Sequence, residues 1–305
     1  MTSGMTAEER ICKYHCAIVN MKTIYLPAVL VLIMSAGCTH LFFHPEKKLV
    51  HNPYLDMVRH EDICFKTPDG LTLQGWLLKP EGKSWGTILY LHGNAENIST
   101  HVNNVLWLVK EGFAVFVFDY RGYGNSEGRP SIKGVHLDAE AALNAIVNLS
   151  GSDSNNIIVL GQSLGGAIAV YTVANSRLKS HVKALVIDSV FSSYRGIARE
   201  KAAQFVITWP LQYPLSFLVN NHYSPDKWIG KISPVPLLII HGDRDTIVPL
   251  HHGTALYEKA SSPKKLWVVK GAGHIGAFAE EDIRQKLVRY LKDTIGMGET
   301  PAGVR

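Results

Sequence analysis

From residue 87 onward one pattern repeats: a short run that is hydrophobic on both faces, then an amphipathic stretch with helical spacing. TILYLH leads into 102–110, FAVFVFDY into 132–148, and NIIVL into 164–175, after which KALVIDS closes the first series. The pattern resumes with PLLIIHG, a helix over 251–259, KLWVVK and a terminal helix over 279–294. A strand without a polar face has no side to give to water, so it must be covered on both. Such strands alternating with helices imply a mostly parallel sheet flanked by helices, an α/β architecture. The 305 residues, 46% hydrophobic and 19% charged, suffice for one large domain of this kind. Ahead of the repeat, strands at 63–66 and 71–78 join through Pro68-Asp69-Gly70 as a hairpin. Between 193 and 233 the alternation stops. The insert, 195–232, holds Trp209, Tyr213, Phe217, Tyr223 and Trp228, and reads both as helices closing the sheet edge and as a lid over an apolar pocket.

The formal charge of +5 is spread thinly, with no Lys/Arg run able to track a phosphate backbone, so nucleic acid is not an expected partner. The segment beginning MKTIYLPAVLVLIMSAGCTH has a Met, one Lys, an apolar run and a small-residue stop, the build of a secretory signal peptide over 21–37. Pro27 and the shortness of the run disfavour a transmembrane helix. Ser35-Ala36-Gly37-Cys38 resembles the bacterial lipoprotein processing box, with Ser35 where that box has Leu. The resemblance implies lipidation at Cys38, a membrane-anchored place in a bacterial cell envelope and a tether over 38–60; ordinary cleavage and an uncleaved anchor are the alternatives. Residues 1–20 have no apolar core and fit no signal peptide, so translation is expected to start at Met21. Cys12, His15 and Cys16 lack a second ligand pair and read as no metal site. With Cys38 lipidated, Cys64 is the only cysteine of the mature chain, and no internal disulfide can form. The end, 296–305, reads as a flexible tail.

GQSLGG follows the run NIIVL and opens the helix at 164–175, placing Ser163 where strand turns to helix between glycines. The five-residue motif alone is also compatible with a plain turn. A phosphate loop is excluded, since Ser stands at the third position and no Gly-Lys-Ser/Thr follows. A nucleophilic serine needs a base, a carboxylate to orient that base, and donors for an oxyanion. HGDRDTIVP follows PLLII, GAGHIGAF follows KLWVV, and LHGNAEN follows TILY, so all emerge at the carboxyl edge of the same sheet. The order Ser, Asp, His is that of the α/β-hydrolase arrangement.

Over residues 42–291 the chain resembles the α/β-hydrolases, closest to the branch carrying HGNA, DYRGYG, GQSLGG and HGxxDxxVP. It is also similar to the eukaryotic membrane-associated depalmitoylating hydrolases and to serine-aminopeptidase-like lysophospholipases. The resemblance implies the α/β-hydrolase fold over 61–295 with a short helical lid, Ser163 as nucleophile, Asp245 as carboxylate and His274 as general base. It implies the backbone N–H groups of Asn94 and Leu164 as oxyanion donors, shaped by His92 and Gly93, and no metal or other cofactor. Asp243 competes with Asp245 and is better suited to cap its loop. His251 and His252 open a helix and read as surface residues. Asp119, Tyr120 and Arg121 read as structural, Arg121 tying loops together. The expected substrate is an acyl ester or thioester. A serine peptidase, with Asp226 as its one visible amine-holding group, and a non-catalytic envelope lipoprotein are the competing functions.

Overall fold

The computed structural model describes residues 42–149, 156–204, 206 and 208–296. The expected leader 1–20, the signal 21–37, Cys38 and all but the first residue of the tail lie outside the described residues. Among those described, no helix is long and apolar enough to cross a membrane.

The strands are β1 (His44–Pro45), β2 (His60–Lys66), β3 (Thr72–Leu78), β4 (Thr87–Leu91), β5 (Ala95–Glu96), β6 (Ala114–Phe118), β7 (Ile157–Gln162), β8 (Val182–Asp188), β9 (Leu237–Gly242) and β10 (Lys264–Val269). Eight form one sheet in the order β10-β9-β8-β7-β4-β6-β3-β2, parallel throughout except where β3 pairs with β6 and β2. Burial follows position. Every residue of β4, β6, β7 and β9 is buried, whereas the two edge strands β2 and β10 are largely half-buried or exposed. That is why the inner strands read as unbroken apolar runs and the edges do not.

The longer connections are α1 (Ile98–His101), α2 (Leu106–Lys110), α3 (Ile132–Asn148), α4 (Leu164–Asn175), α5 (Tyr194–Ala203), α6 (Gln212–Phe217), α7 (Pro225–Trp228), α8 (His251–Lys259) and α9 (Glu281–Thr294). Ser131 caps α3, its Oγ accepting from Gly134 N. Gly134 is required there, because a Cβ would sit 2.5 Å from Arg121 Cδ. The Arg121 guanidinium in turn bonds Asp138 on α3 and Asp69 in the β2–β3 turn, so it ties loops together as its sequence context suggested. The helix expected over 102–110 is broken: α1 starts earlier, with Asn97 as its N-cap, and a 3₁₀ turn at Val102–Asn104 separates it from α2.

The larger correction concerns 42–60. Expected as part of a tether, this stretch belongs to the compact body, which begins at Phe42. Phe42 and Phe43 are 6% and 1% exposed, and the Phe42 ring meets Tyr194 edge-on at 5.2 Å. β1 pairs with β5, and Asn97 Nδ2 donates to Glu46 O and Lys48 O. The anchors are single aromatics and side-chain-to-backbone bonds, which leave no periodicity to read.

Candidate active site

Strand register brings the sheet's carboxyl ends level: Leu91 pairs with Gly161, Gln162 with Asp188, Asp188 with Ile240, and Gly242 with Val269. The loops that follow therefore converge on one edge. Ser163 sits at φ 53°, ψ −119°, in the left-handed region that an L-residue adopts only under strain, and it caps α4. Its N–H donates to Asp188 O at 2.9 Å, and its carbonyl accepts from Gly166 N and Ala167 N. The bend is possible because the chain passes itself closely: a Cβ on Gly165 would collide with Leu91 O, and one on Gly166 with Val190 Cγ2.

His274 Nε2 lies 3.0 Å from Ser163 Oγ, and His274 Nδ1 lies 2.8 Å from Asp245 Oδ2. Because a carboxylate only accepts, Nδ1 carries the proton and Nε2 presents its lone pair to the serine hydroxyl. Asp245 is 6% exposed, and its Oδ1 accepts from Ile247 N at 2.9 Å and Val248 N at 2.8 Å. Burial alone would raise its carboxyl, but the hydrogen bonds from His274, Val248 and Ile247 outweigh it and hold Asp245 below the usual carboxylate range. Asp243 is exposed, and its Oδ1 accepts from Gly271 N at 2.6 Å, tying its own loop to the one after β10.

The loop after β4 is held from the DYRGYG segment. Tyr120 OH donates to His92 O, and Tyr123 OH donates to Asn94 O, which also accepts from His44 N. Between these anchors His92 Nδ1 donates to Gly93 O at 2.9 Å. In a trans peptide the carbonyl and the following N–H point apart, so drawing the Gly93 carbonyl towards His92 turns the Asn94 N–H the other way. Leu164 opens α4, where the first N–H groups have no helical acceptor. Burial holds His92 well below the imidazole range, so it is neutral, and pushes the neighbouring Asp119 carboxyl up to about 7.

Three residues that the sequence reading did not single out join the site. Gln162, inside GQSLGG, is buried and accepts from Tyr90 OH and Asn104 Nδ2 while its Nε2 donates to Asp188 Oδ2 at 2.9 Å. Burial pushes the Asp188 carboxyl up to about 6, although Gln162, Ser189 and His274 favour its charged form. Ser189, at φ 57°, donates to Asp188 Oδ1 and accepts from Ile275 N at 3.0 Å, so it grips the residue after His274. The available signal was the Asp-Ser pair ending the apolar run KALVIDS, polar side chains at the carboxyl end of an inner strand.

The other predicted residues fall away from this cluster. Asp226 Oδ2 bonds Lys259 Nζ at 3.0 Å. His251 is exposed as expected, but His252 is 2% exposed and packed under the insert, a correction to reading both as surface.

Residues 82–226 match the family model described as serine aminopeptidase, S33, a span that ends before Asp245 and His274. YfhR of Escherichia coli strain K12 is 33% identical over 88% of this chain and 92% of that protein. The alpha/beta hydrolase domain-containing protein WAV2 of Arabidopsis thaliana is 35% identical over 67% of each. The chain belongs to the α/β-hydrolase superfamily. Among solved structures it is similar to the Pyrococcus furiosus esterase Pf2001, with a TM-score of 0.66 at 23% identity, covering 82% of this chain and 99% of that one. The acetyl xylan esterase of Paenibacillus sp. R4 gives a TM-score of 0.62 at 20% identity, covering 86% and 93%. These two likenesses are to the overall fold.

Proposed function

We propose that this α/β-hydrolase is a serine hydrolase that cleaves carboxylic ester and thioester bonds of acyl substrates through an acyl-enzyme. The observation that carries the reading is the unbroken chain from Ser163 Oγ to His274 to Asp245, with links of 3.0 and 2.8 Å and the proton on Nδ1. Ser163 Oγ forms a bond to the acyl carbon as its proton passes to His274 Nε2, and Asp245 stabilises the imidazolium. The N–H groups of Asn94 and Leu164 hold the developing oxyanion, a contribution of a few kcal/mol per donor in comparable sites, about 3–4. His274 returns the proton to the leaving oxygen or sulfur. Water then attacks the acyl-serine, gives its proton to the same imidazole, and releases the acid. No step needs a metal.

Two observations favour acyl esters over peptides. Asp226, the group of the insert expected to hold a substrate amine, already pairs with Lys259. The insert also exposes Trp209, Leu211, Tyr213, Phe217 and Leu218, with Arg195 and Arg199 over the Phe217 and Tyr213 rings, an aromatic surface with a cationic margin that suits lipid-like chains. Lipidation of Cys38 would hold this surface near the envelope membrane. The name of the matched family model keeps aminopeptidase as the second reading.

A fluorophosphonate probe should label the wild-type chain and leave Ser163→Ala unlabelled, and only the wild type should release p-nitrophenol from short acyl esters. Equal labelling of both forms would sink the catalytic assignment. Esters, thioesters and aminoacyl amides assayed side by side separate the two readings, a faster turnover of the amides overturning the first. For the anchor, Cys38→Ser should abolish incorporation of a palmitate analogue.

A further inference from the structure

Away from Ser163, the insert and the loop after β9 bring three metal-ligating side chains together. Glu200 lies on α5, and His251 and His252 are the first two residues of α8. Both imidazoles turn the same nitrogen to one carboxylate: His251 Nε2 is 3.2 Å from Glu200 Oε1, and His252 Nε2 is 3.1 Å from Glu200 Oε2. One donor atom from each residue falls within 4.8 Å of the others. A tetrahedral ion with bonds of 2.0–2.1 Å sets its ligand atoms roughly 3.4 Å apart; each imidazole stands near that edge length from its own Glu200 oxygen, so His251 has to move onto the oxygen that His252 uses. The His251 side chain is 62% exposed and free to close the remaining distance, and its exposure leaves a fourth position open to water.

The other ring nitrogen of His252 is also provided for. Its Nδ1 faces Ser192 Oγ at 2.9 Å and Ser192 N at 3.2 Å. Without metal, the Ser192 N–H donates to Nδ1, and the proton on Nε2 goes to Glu200. With metal on Nε2, the proton sits on Nδ1 and Ser192 Oγ accepts it, an outer-sphere bond of the kind that fixes tautomer and ring orientation in metal-bound imidazoles, while the Ser192 N–H gives up Nδ1 as its acceptor. The change is a tautomer shift in a neutral ring, so charge and protons balance with Glu200 ionised throughout.

We propose that Glu200, His251 and His252 form a binding site for a divalent transition metal of the zinc type, which clamps the first helix of the insert to the start of α8. Two imidazoles and one carboxylate with an open fourth position suit Zn²⁺ better than Mg²⁺ or Ca²⁺, which take oxygen ligands. The clamp bears on the neighbourhood of the candidate active site, because α8 follows the loop that carries Asp245. Metal occupancy would thus fix the insert against that loop.

The test uses the full chain, stripped with chelator, then dialysed against Zn²⁺ or titrated with Co²⁺. Wild type should retain one more equivalent of Zn²⁺ than Glu200→Gln or His251→Ala, and should gain the visible ligand-field bands of tetrahedral Co²⁺. Either variant should bind at least about 10-fold more weakly, the loss that removal of even an outer-sphere partner produces. Zn²⁺ should raise the melting temperature of wild type and not of the variants. His251 is exposed, so that variant folds whatever Glu200→Gln does. Equal metal content and affinity in wild type and variants would overturn the site and leave a hydrogen-bonded clamp. Bands of thiolate character that persist in both variants would assign the metal to Cys12 and Cys16 instead, and overturn it as well.

Discussion

Asp245→Asn tests the charge relation at the centre of the site with almost no change of shape. The asparagine oxygen can keep the two backbone donors that Asp245 Oδ1 now holds, Ile247 N at 2.9 Å and Val248 N at 2.8 Å, so the loop should keep its form. Its NH₂ group then faces His274 Nδ1 in place of an acceptor 2.8 Å away. A donor there forces Nδ1 to accept, moves the ring proton to Nε2, and leaves no lone pair to take the Ser163 proton across 3.0 Å. By analogy with other triads the turnover number should fall about 10⁴-fold. At 1.36 kcal/mol per decade that is about 5 kcal/mol of barrier. Folding stability should fall by only about 1–3 kcal/mol, the worth of one charged hydrogen bond. The assay is steady-state hydrolysis of a short p-nitrophenyl ester, with active sites counted by fluorophosphonate titration and stability followed by urea unfolding. Asp243→Asn is the control: its carboxylate is exposed and accepts only from Gly271 N, so it should cost less than about tenfold. The reasoning is refuted by a loss under tenfold at Asp245, or by equal losses at the two positions.

Three further outcomes follow from the surroundings of the site. Burial raises the Asp119 carboxyl from 3.8 to about 7, so the folded state holds a proton that the unfolded state has released over that window, and this group weakens the fold as pH rises from about 4 to 7. Asp119→Asn keeps an acceptor for Ile98 N, and its stability relative to wild type should climb across that window by up to about 4 kcal/mol, read from urea melts at several pH values; a flat difference refutes it. Arg121→Met strands Asp138, whose side chain is fully buried, and should cost about 3–5 kcal/mol in the same melts, whereas a loss under 1 kcal/mol would show the Asp69–Arg121–Asp138 bridge to be dispensable. Ser189→Ala removes the acceptor of Ile275 N and should lower kcat by about tenfold with little change in KM, as a positioning role requires; an unchanged kcat refutes that role.

Much of the frame was legible in local pattern. Helices expected over 132–148, 164–175 and 251–259 form with those bounds, the first of them with Ser131 as its side-chain cap. The helix expected over 102–110 failed where Asn97 captured the start and a 3₁₀ turn divided the rest, a competition between caps that hydrophobic spacing does not express. The 42–60 stretch was misread for a related reason. The Phe42 ring packs against Tyr194 and Phe191, residues far along the chain.

The sequence by itself determined that Ser163, Asp245, His274 and the HGNA loop emerge on one edge. Parallel strands joined by helices put every strand-to-helix loop at the carboxyl end, whichever strands turn out to be neighbours. Only the tertiary structure decided which atoms meet there. Strand order and register set Asp188 beside Gln162 and brought Ser189 onto the loop of His274, and the fold of the insert carried Glu200 across 51 positions to His251 and 52 to His252. Those meetings depend on long-range pairing, and a chain's local periods carry the direction and exposure of its elements but not their partners.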